Sequence, residues 1–159
     1  MNTMPELDST TVRDAMNVVE VTVSPTQKLE EVATLFRQHH LHSVPVVDER
    51  DKCIGIITSH DLVRFQSELS KMDSRLDQGM SYDVSERSSG GGIELVPHPF
   101  DEVQRHMSTG VQTVEGVTPL LHAARIMCQQ QIHHLIVLDD SERPVGVLSS
   151  LDILARLQG

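Results

Sequence analysis

One stretch of this sequence occurs twice. When Val12 is aligned with Val103, residues 12–62 match residues 103–153 without a gap. Between the identical positions lie apolar-for-apolar replacements, such as Ile56/Val147, Ile57/Leu148 and Leu35/Ile126. The identical pairs include Met16/Met107, Thr22/Thr113, Val23/Val114, Leu29/Leu120, Ala33/Ala124, His42/His133, Val46/Val137, Asp48/Asp139, Gly55/Gly146, Ser59/Ser150 and Asp61/Asp152. A self-match of this kind indicates two copies of one structural unit.

Each copy has the pattern strand, helix, strand, strand, helix. Short first strands are predicted at Val21–Val23 and at Gln112–Val114. Apolar residues at helical spacing then predict an amphipathic helix in each copy. The stripe residues are Leu29, Val32, Ala33 and Phe36 in the first copy and Leu120, Ala123, Ala124 and Met127 in the second. Thr118-Pro119 is typical of a helix N-cap followed by a first-turn proline.

Two short apolar runs follow each amphipathic helix and predict a hairpin. In the first copy they are Val44–Val47 and Cys53–Ile57; in the second they are Leu135–Leu138 and Val145–Leu148. A last helix starts near Ser59 and near Ser150. Because one such unit leaves a sheet face uncovered, we expect two units to cover each other. The predicted fold is α/β (α+β): two βαββα repeats related by a pseudo-twofold axis, with clefts where they meet.

The predicted organisation is a tail (1–10), repeat 1 (11–66), a connector (67–101) and repeat 2 (102–159). Of the net charge of −10, most lies in the tail and the connector. The glycine-rich Ser88–Gly92 in the connector predicts a mobile loop.

Composition excludes several classes of function. Aromatic residues make up 3% of the chain and the net charge is −10, which together disfavour DNA or RNA as a partner. The chain has no apolar run long enough to span a bilayer and no signal-peptide pattern at its start, so we expect a soluble cytoplasmic protein. Cys53 and Cys128 have no metal-type spacing, and we expect both to be small buried side chains.

The strongest local motif is G-h-h-[ST]-x-x-D, where h is an apolar residue. It occurs as Gly55–Asp61 and again as Gly146–Asp152. The structural interpretation is a capping box, in which a hydroxyl caps the helix and an acid stands three residues on. The functional interpretation uses the same geometry, because a carboxylate at a helix start can accept both hydroxyls of a ribose cis-diol.

The two copies resemble a tandem of cystathionine-β-synthase-type (CBS) domains, the Bateman module. The resemblance rests on Met16, Thr22–Pro25, Leu29–Ala33, His42–Asp48 and the G-h-h-T-x-x-D segment. In this family the motif's acid and hydroxyl hold the ribose of an adenosine-containing ligand. The resemblance therefore implies ribose contacts at Thr58, Asp61, Ser149 and Asp152.

Weaker contacts follow from the same resemblance. Residues near the first strand commonly touch adenine, and basic residues before the second strand approach phosphate in AMP-binding members. The adenine candidates lie in two segments, Val18–Val21 and Thr109–Gln112, and are Val18, Val21, Thr109 and Gln112. The phosphate candidates are His42, Ser43, Arg64, His133 and His134. Ser43 departs from an arginine often seen there, and Ala155 stands in repeat 2 where repeat 1 has Arg64.

Five histidines, His39, His40, His42, His133 and His134, cluster at the predicted helix-to-strand junctions. Three interpretations are open: contact with phosphate or adenine, ordinary half-exposed side chains, or a zinc site. The zinc interpretation lacks accompanying cysteines or acids, so we expect no metal. We expect His60, His98, His106 and His122 to lie on the surface.

The sequence thus predicts a regulatory module and no enzyme, with no catalytic residues or catalytic cofactor. It would bind AMP, ADP or ATP, or else S-adenosylmethionine or a dinucleotide, between the repeats. By resemblance we expect a homodimer. The ten residues before repeat 1 are too few for an effector domain, so the output would pass to a separate regulated protein. The alternatives are an interaction module that binds no nucleotide and a module that senses Mg²⁺.

Overall fold

The computed structural model describes residues 5–76 and 101–158. Within these ranges, helices and strands alternate much as the repeat predicts. In chain order they are α1 (Pro5–Ser9), α2 (Val12–Ala15), β1 (Asn17–Val18), α3 (Leu29–His39), β2 (Ser43–Val47), β3 (Cys53–Thr58), α4 (Ser59–Leu76), a 3₁₀ turn (Val103–Arg105), β4 (Thr113–Glu115), α5 (Leu120–Gln130), β5 (His134–Leu138), β6 (Pro144–Ser149) and α6 (Ser150–Leu157). The mixed α/β fold class is confirmed.

The strands form a four-stranded sheet in the order β1-β6-β5-β4 and a two-stranded sheet of β2 and β3. In the larger sheet, β4 and β5 are parallel, whereas β5–β6 and β1–β6 are antiparallel. Both predicted hairpins, β2–β3 and β5–β6, are confirmed. Strand β1 belongs to repeat 1 in sequence but pairs with a strand of repeat 2, which the repeat pattern does not predict.

The first strand predicted for repeat 1, Val21–Val23, is wrong. Only Val23 pairs there, in a single parallel bridge with Val46. Pro25 has no N–H and restricts Ser24 before it, so the ladder stops. Repeat 2 has Gly116 at the position of Pro25, and its first strand continues as β4.

The chain divides into two compact units that do not coincide with the repeats. One unit comprises the described parts of Met1–Ser24, Pro45–Ile56 and Ser108–Gly159; the other comprises those of Pro25–Val44 and Ile57–Met107. The first unit has a core cluster of seven buried side chains: Val12, Leu120, Ala123, Met127, Leu135, Val137 and Leu148. Val12 is the member from repeat 1, so this core is built from both repeats.

The segment that enters each repeat hydrogen-bonds to the other repeat, just before that repeat's amphipathic helix. Entry segment 1 (residues 10–19) hydrogen-bonds to repeat 2, with Val12 N–H donating to the Thr118 carbonyl at 2.8 Å. Entry segment 2 (residues 101–108) makes the matching bond to repeat 1, with Val103 N–H donating to the Gln27 carbonyl at 2.9 Å. Val12 and Val103 are both fully buried. The two repeats have therefore exchanged their entry segments.

Several local details differ from the sequence predictions. The N-cap of α5 is Pro119, one residue after the predicted Thr118, with no side-chain cap bond. Cys128 is exposed because it lies one position beyond the buried stripe residue Met127, and Cys53 is half-buried. Burial raises the pKa of the Cys53 thiol. His106 is half-buried against Phe65, with ring centroids 4.4 Å apart.

Helix α4 continues to Leu76, into the segment predicted as connector. The predicted mobile loop Ser88–Gly92 lies outside the described residues. Among those residues, none of the helices combines the length and the apolar character needed to cross a membrane.

Candidate functional site

The motif of repeat 1 forms the junction between β3 and α4. Strand β3 ends at Thr58 and α4 begins at Ser59. The Asp61 carboxylate oxygen Oδ2 accepts hydrogen bonds from the Thr58 backbone N–H at 2.8 Å and from Thr58 Oγ1 at 2.9 Å. In return, the Asp61 backbone N–H donates to Thr58 Oγ1 at 3.3 Å. This is the reciprocal capping box that the spacing predicts.

The motif of repeat 2 forms the same junction between β6 and α6. Asp152 Oδ2 accepts from the Ser149 backbone N–H at 2.7 Å and from Ser149 Oγ at 2.8 Å, while the Asp152 N–H donates to Ser149 Oγ at 3.2 Å. The helix start adds its partial positive charge, which favours a carboxylate there. In each repeat the bonds of the cap therefore fall on Oδ2, and we call the other carboxylate oxygen, Oδ1, the outer oxygen.

The outer oxygens have different partners in the two repeats. Asp61 Oδ1 accepts from the Arg64 guanidinium at 2.7 Å. Asp152 accepts from the Asn17 side-chain amide, at 3.1 Å on Oδ1 and 3.0 Å on Oδ2. We call the set Thr58, Asp61 and Arg64 the first carboxylate site, and the set Asn17, Ser149 and Asp152 the second carboxylate site.

The burial of the two aspartates also differs. Asp61 is 5% exposed, whereas Asp152 is half-buried. The Arg64 side chain is 53% exposed, so its charge stays in contact with solvent.

Asn17 is a functional candidate that the sequence analysis missed. Entry segment 1 brings it to repeat 2, where Asn17 pairs with Val147 and Val18 pairs with Gly146 on β6. The absence of a side chain at Gly146 permits this approach, because an added Cβ would lie 2.9 Å from Met16 Cγ. Arg156 donates to the Asp14 carbonyl and ties α6 to the same segment. Nothing at Asn17 in the sequence signals this contact, since Ser108 stands at the matching position.

The structure brings part of the weaker candidate set close to these sites. The His42 carbonyl accepts from Ser59 N–H at 2.8 Å, and the His133 carbonyl accepts from Ser150 N–H at 3.0 Å. Both histidine side chains are exposed, and the neighbouring Ser43 and His134 are half-buried. The histidine of each repeat thus adjoins the start of its motif helix.

The adenine candidates are distributed differently. Val18 lies on β1 beside β6 and is 70% exposed. Thr109 follows Ser108, which exchanges two backbone hydrogen bonds with Ile56 of β3, at 3.1 and 2.9 Å. Gln112 is exposed, and its carbonyl accepts from Ile136 N–H at 3.3 Å. Val21 is half-buried in the segment between β1 and the Val23 bridge.

An open groove of about 540 Å³ lies elsewhere in the first unit, along β4, α5 and the β5–β6 turn. Its acids include Glu115, Asp139, Asp140 and Glu142. Asp139 holds the turn: the backbone N–H of Arg143 is the main cause that lowers the pKa of its carboxyl, with a further bond from Ser141 N–H. Across residues 5–76 and 101–158, no three His, Cys, Asp or Glu side chains are grouped to hold a metal ion.

The family model for the CBS domain matches residues 12–68 and again residues 101–159. Among curated relatives, the CBS domain-containing protein YhcV of Bacillus subtilis is 28% identical over 142 residues, which cover 89% of this chain and 81% of YhcV.

Other curated relatives are longer than this chain. This chain spans 56% of a protein from Methanopyrus kandleri and 36% and 23% of two proteins from Methanocaldococcus jannaschii. The three are 25–29% identical to it, over 84–94% of this chain. The last of the three is L-aspartate semialdehyde sulfurtransferase. The match therefore covers from about a quarter to just over half of those proteins.

The solved structures that are similar in fold include the following two. The CBS domain pair of protein MJ0100, in complex with 5-methylthioadenosine and S-adenosyl-L-methionine, aligns with a TM-score of 0.65 and 27% identity, covering 94% of this chain and all of that one. CBSX2 in complex with AMP aligns with a TM-score of 0.63 and 22% identity, covering 93% and 96%.

Proposed function

This chain belongs to the CBS domain family, and from that premise we propose that it is a regulatory module that binds an adenosine-containing ligand. The ribose would be held by Thr58 and Asp61 at the first carboxylate site and by Ser149 and Asp152 at the second. The observation that carries the proposal is the repeated carboxylate. In both repeats the capping box fixes the aspartate through Oδ2, and a ribose hydroxyl would bind Oδ1 in exchange for the donor now present there, Arg64 or Asn17.

The chemistry of that carboxylate suits a ribose. A cis-diol presents two O–H donors, and hydrogen bonds to an ionised acceptor are about twice as strong as neutral ones. A phosphate would be repelled by the same carboxylate, so the phosphates of a nucleotide must point away from it. The similar MJ0100 domain pair was solved with two ligands that share an adenosine group, which supports adenosine as the part recognised.

The finer assignments are part of this proposal. AMP, ADP and ATP are the preferred ligand class, with S-adenosylmethionine or a dinucleotide as further candidates. Val18, Val21, Thr109 and Gln112 would contact adenine, and His42, Ser43, Arg64, His133 and His134 would lie on the phosphate side. Occupancy would act on a separate regulated protein, in a cytoplasmic homodimer, as an energy or metabolite sensor.

Regulation by such a ligand requires two states of the protein that bind it differently. At the second carboxylate site, the contact between entry segment 1 and Asp152 would differ between two such states. Because Asn17 donates to both oxygens of Asp152, a ribose on that carboxylate competes with the Asn17 contact. Ligand binding would then loosen the contact between entry segment 1 and repeat 2.

Two other functions make different predictions. An interaction module without a nucleotide would use the motif only as a helix cap, so Thr58→Ala would cost about 0.5–2 kcal/mol of stability and change no ligand binding. A Mg²⁺ sensor would be stabilised by Mg²⁺ alone.

A thermal-shift panel tests the three functions together. Protein freed of carried-over ligand is heated with AMP, ADP, ATP, S-adenosylmethionine or Mg²⁺, as the wild type and as Asp61→Asn/Asp152→Asn. A ligand at 100 times its Kd adds about 2.7 kcal/mol, a rise in Tm of several degrees for a chain of this size. The proposal expects a nucleotide-dependent rise that the double variant loses. If the wild type gives no rise with any nucleotide, the interaction module is favoured.

A further inference from the structure

We propose that Arg64 makes the first carboxylate site selective for phosphate-bearing adenosine ligands over uncharged adenosine. This inference rests on the proposed function. It follows from the contact between Arg64 and Asp61 in the ligand-free protein, where the guanidinium lies 2.7 Å from the outer carboxylate oxygen.

The argument begins with the acceptor capacity of Asp61. A carboxylate has about four lone-pair positions for hydrogen bonds. Thr58 fills two of them on Oδ2 through its N–H and its hydroxyl, and Arg64 fills a third on Oδ1. One position remains, whereas a cis-diol donates two bonds. Full ribose recognition therefore requires Arg64 to release Oδ1.

The electrostatic cost of moving Arg64 away from Asp61 depends on the ligand. Asp61 is almost completely buried and Arg64 is its only cationic partner among the contacts described. An uncharged adenosine replaces the guanidinium with two hydroxyls and leaves Arg64 without an anion. A phosphate on the same ligand gives the released guanidinium a new anionic partner, and arginine binds phosphate in a planar, two-pronged geometry. The phosphorylated ligand thus compensates for the contact that it breaks.

The second carboxylate site has no equivalent of this exchange. Ala155 stands where repeat 1 has Arg64, and the neighbouring Arg156 donates to the Asp14 carbonyl. The partner of Asp152 is the uncharged amide of Asn17. Displacing Asn17 therefore releases no cation, and the preference for a phosphate should be weaker there.

The test measures AMP and adenosine binding by isothermal titration calorimetry on the Asp152→Asn protein, which isolates the first carboxylate site. The quantity compared is the ratio of the two affinities. Arg64→Gln should lower the AMP-to-adenosine ratio by about tenfold or more, the size of one hydrogen bond to a charged group. Arg64→Lys, which keeps the charge but not the two-pronged geometry, should retain only part of the preference.

Two controls separate this contact from general charge effects. Arg50→Gln removes the same charge from the exposed β2–β3 turn and should leave the ratio unchanged. Ala155→Arg, placed in an Asp61→Asn protein, should raise the ratio at the second site. This gain-of-preference variant also keeps the inference testable if Arg64→Gln does not fold, which circular dichroism would report.

An unchanged ratio in Arg64→Gln, or an equal change in Arg50→Gln, would overturn the inference while leaving adenosine binding intact. If the Asp152→Asn protein binds neither AMP nor adenosine, the proposed function fails at the first carboxylate site, and the inference fails with it. These outcomes are distinguishable because the first two require measurable binding.

Discussion

Asp61 and Asp152 occupy matching positions in the two repeats, have matching capping boxes, and yet have different outer partners. Asp61 is buried and paired with a cation from its own helix. Asp152 is half-buried and bonded to a neutral amide from entry segment 1. The comparison shows that a repeated motif fixes the backbone and the carboxylate, whereas residues outside the motif decide charge and access.

The difference between the two sites comes from two pairs of matching positions. Where repeat 1 has Arg64, repeat 2 has Ala155; where entry segment 1 has Asn17, entry segment 2 has Ser108. Each carboxylate site therefore has one of these two polar partners, Arg64 at Asp61 and Asn17 at Asp152. Arg64 and Asn17 therefore make the two carboxylate sites chemically distinct although both sites carry the same motif.

The largest expected effect is the loss of ligand binding when one of the two carboxylates is removed. Asp61→Asn should weaken ligand binding at the first site by about 100-fold or more, because two bonds to a charged acceptor are lost, and should leave the second site unchanged. Asp152→Asn should do the reverse. Calorimetric titration of each variant measures this, and equal binding by wild type and double variant would contradict it.

A steric substitution tests the approach of entry segment 1 to the second site. In Gly146→Ala the new Cβ meets the Met16 side chain, 2.9 Å from Cγ, so we expect a loss of about 1–3 kcal/mol in the free energy of unfolding. Adding Met16→Ala removes the clash, and the double variant should be more stable than the sum of the single effects implies. Additive losses in urea denaturation would show that Met16 is not the obstacle.

The two caps should differ in strength. Thr58→Ala should cost toward the upper end of about 0.5–2 kcal/mol, and Ser149→Ala toward the lower end. The reason is that Asn17 also donates to Asp152 Oδ2, whereas the described contacts of Asp61 Oδ2 come from Thr58 alone. Urea denaturation of both variants measures the difference, and the opposite order would contradict this account of Asn17.

The smallest effect is a pH dependence confined to entry segment 1. The backbone N–H and the hydroxyl of Thr11 donate to Asp14 and lower the pKa of its carboxyl below the ordinary value of 3.8. The resulting stabilisation is present above pH 3.8 and is lost as the pH falls through the lowered pKa.

Asp14→Asn should therefore be less stable than wild type near pH 6, and the two should converge in strong acid. Denaturation from pH 6 to pH 2 measures this. Entry segment 2 has Arg105 at the matching position, so Arg105→Gln should show no such convergence. A stability gap for Asp14→Asn that does not narrow with acid would contradict the assignment.

Much of the fold was predictable because it depends on short-range patterns. The stripe around Leu29 predicts α3, the paired apolar runs predict both hairpins, and the spacing of Thr58 and Asp61 predicts the cap. Each involves residues a few positions apart whose geometry is set by helix or strand periodicity. Dependence on short-range patterns also explains why the predicted strand at Val21–Val23 was wrong. The β propensity of a segment does not state which partner strand is available to it.

The sequence by itself determined the duplication, the elements of each copy and the two carboxylates at strand–helix junctions. The tertiary structure decided which repeat each entry segment joins, and with it the contact between Asn17 and Asp152. Val12 and Val103 are both buried valines with the same apolar chemistry. The burial of an apolar side chain is non-directional. The sequence therefore does not distinguish valines that pack within their own repeat from valines that pack on the other repeat. Only the folded chain, with Val12 N–H on the Thr118 carbonyl and Val103 N–H on the Gln27 carbonyl, distinguishes the two arrangements.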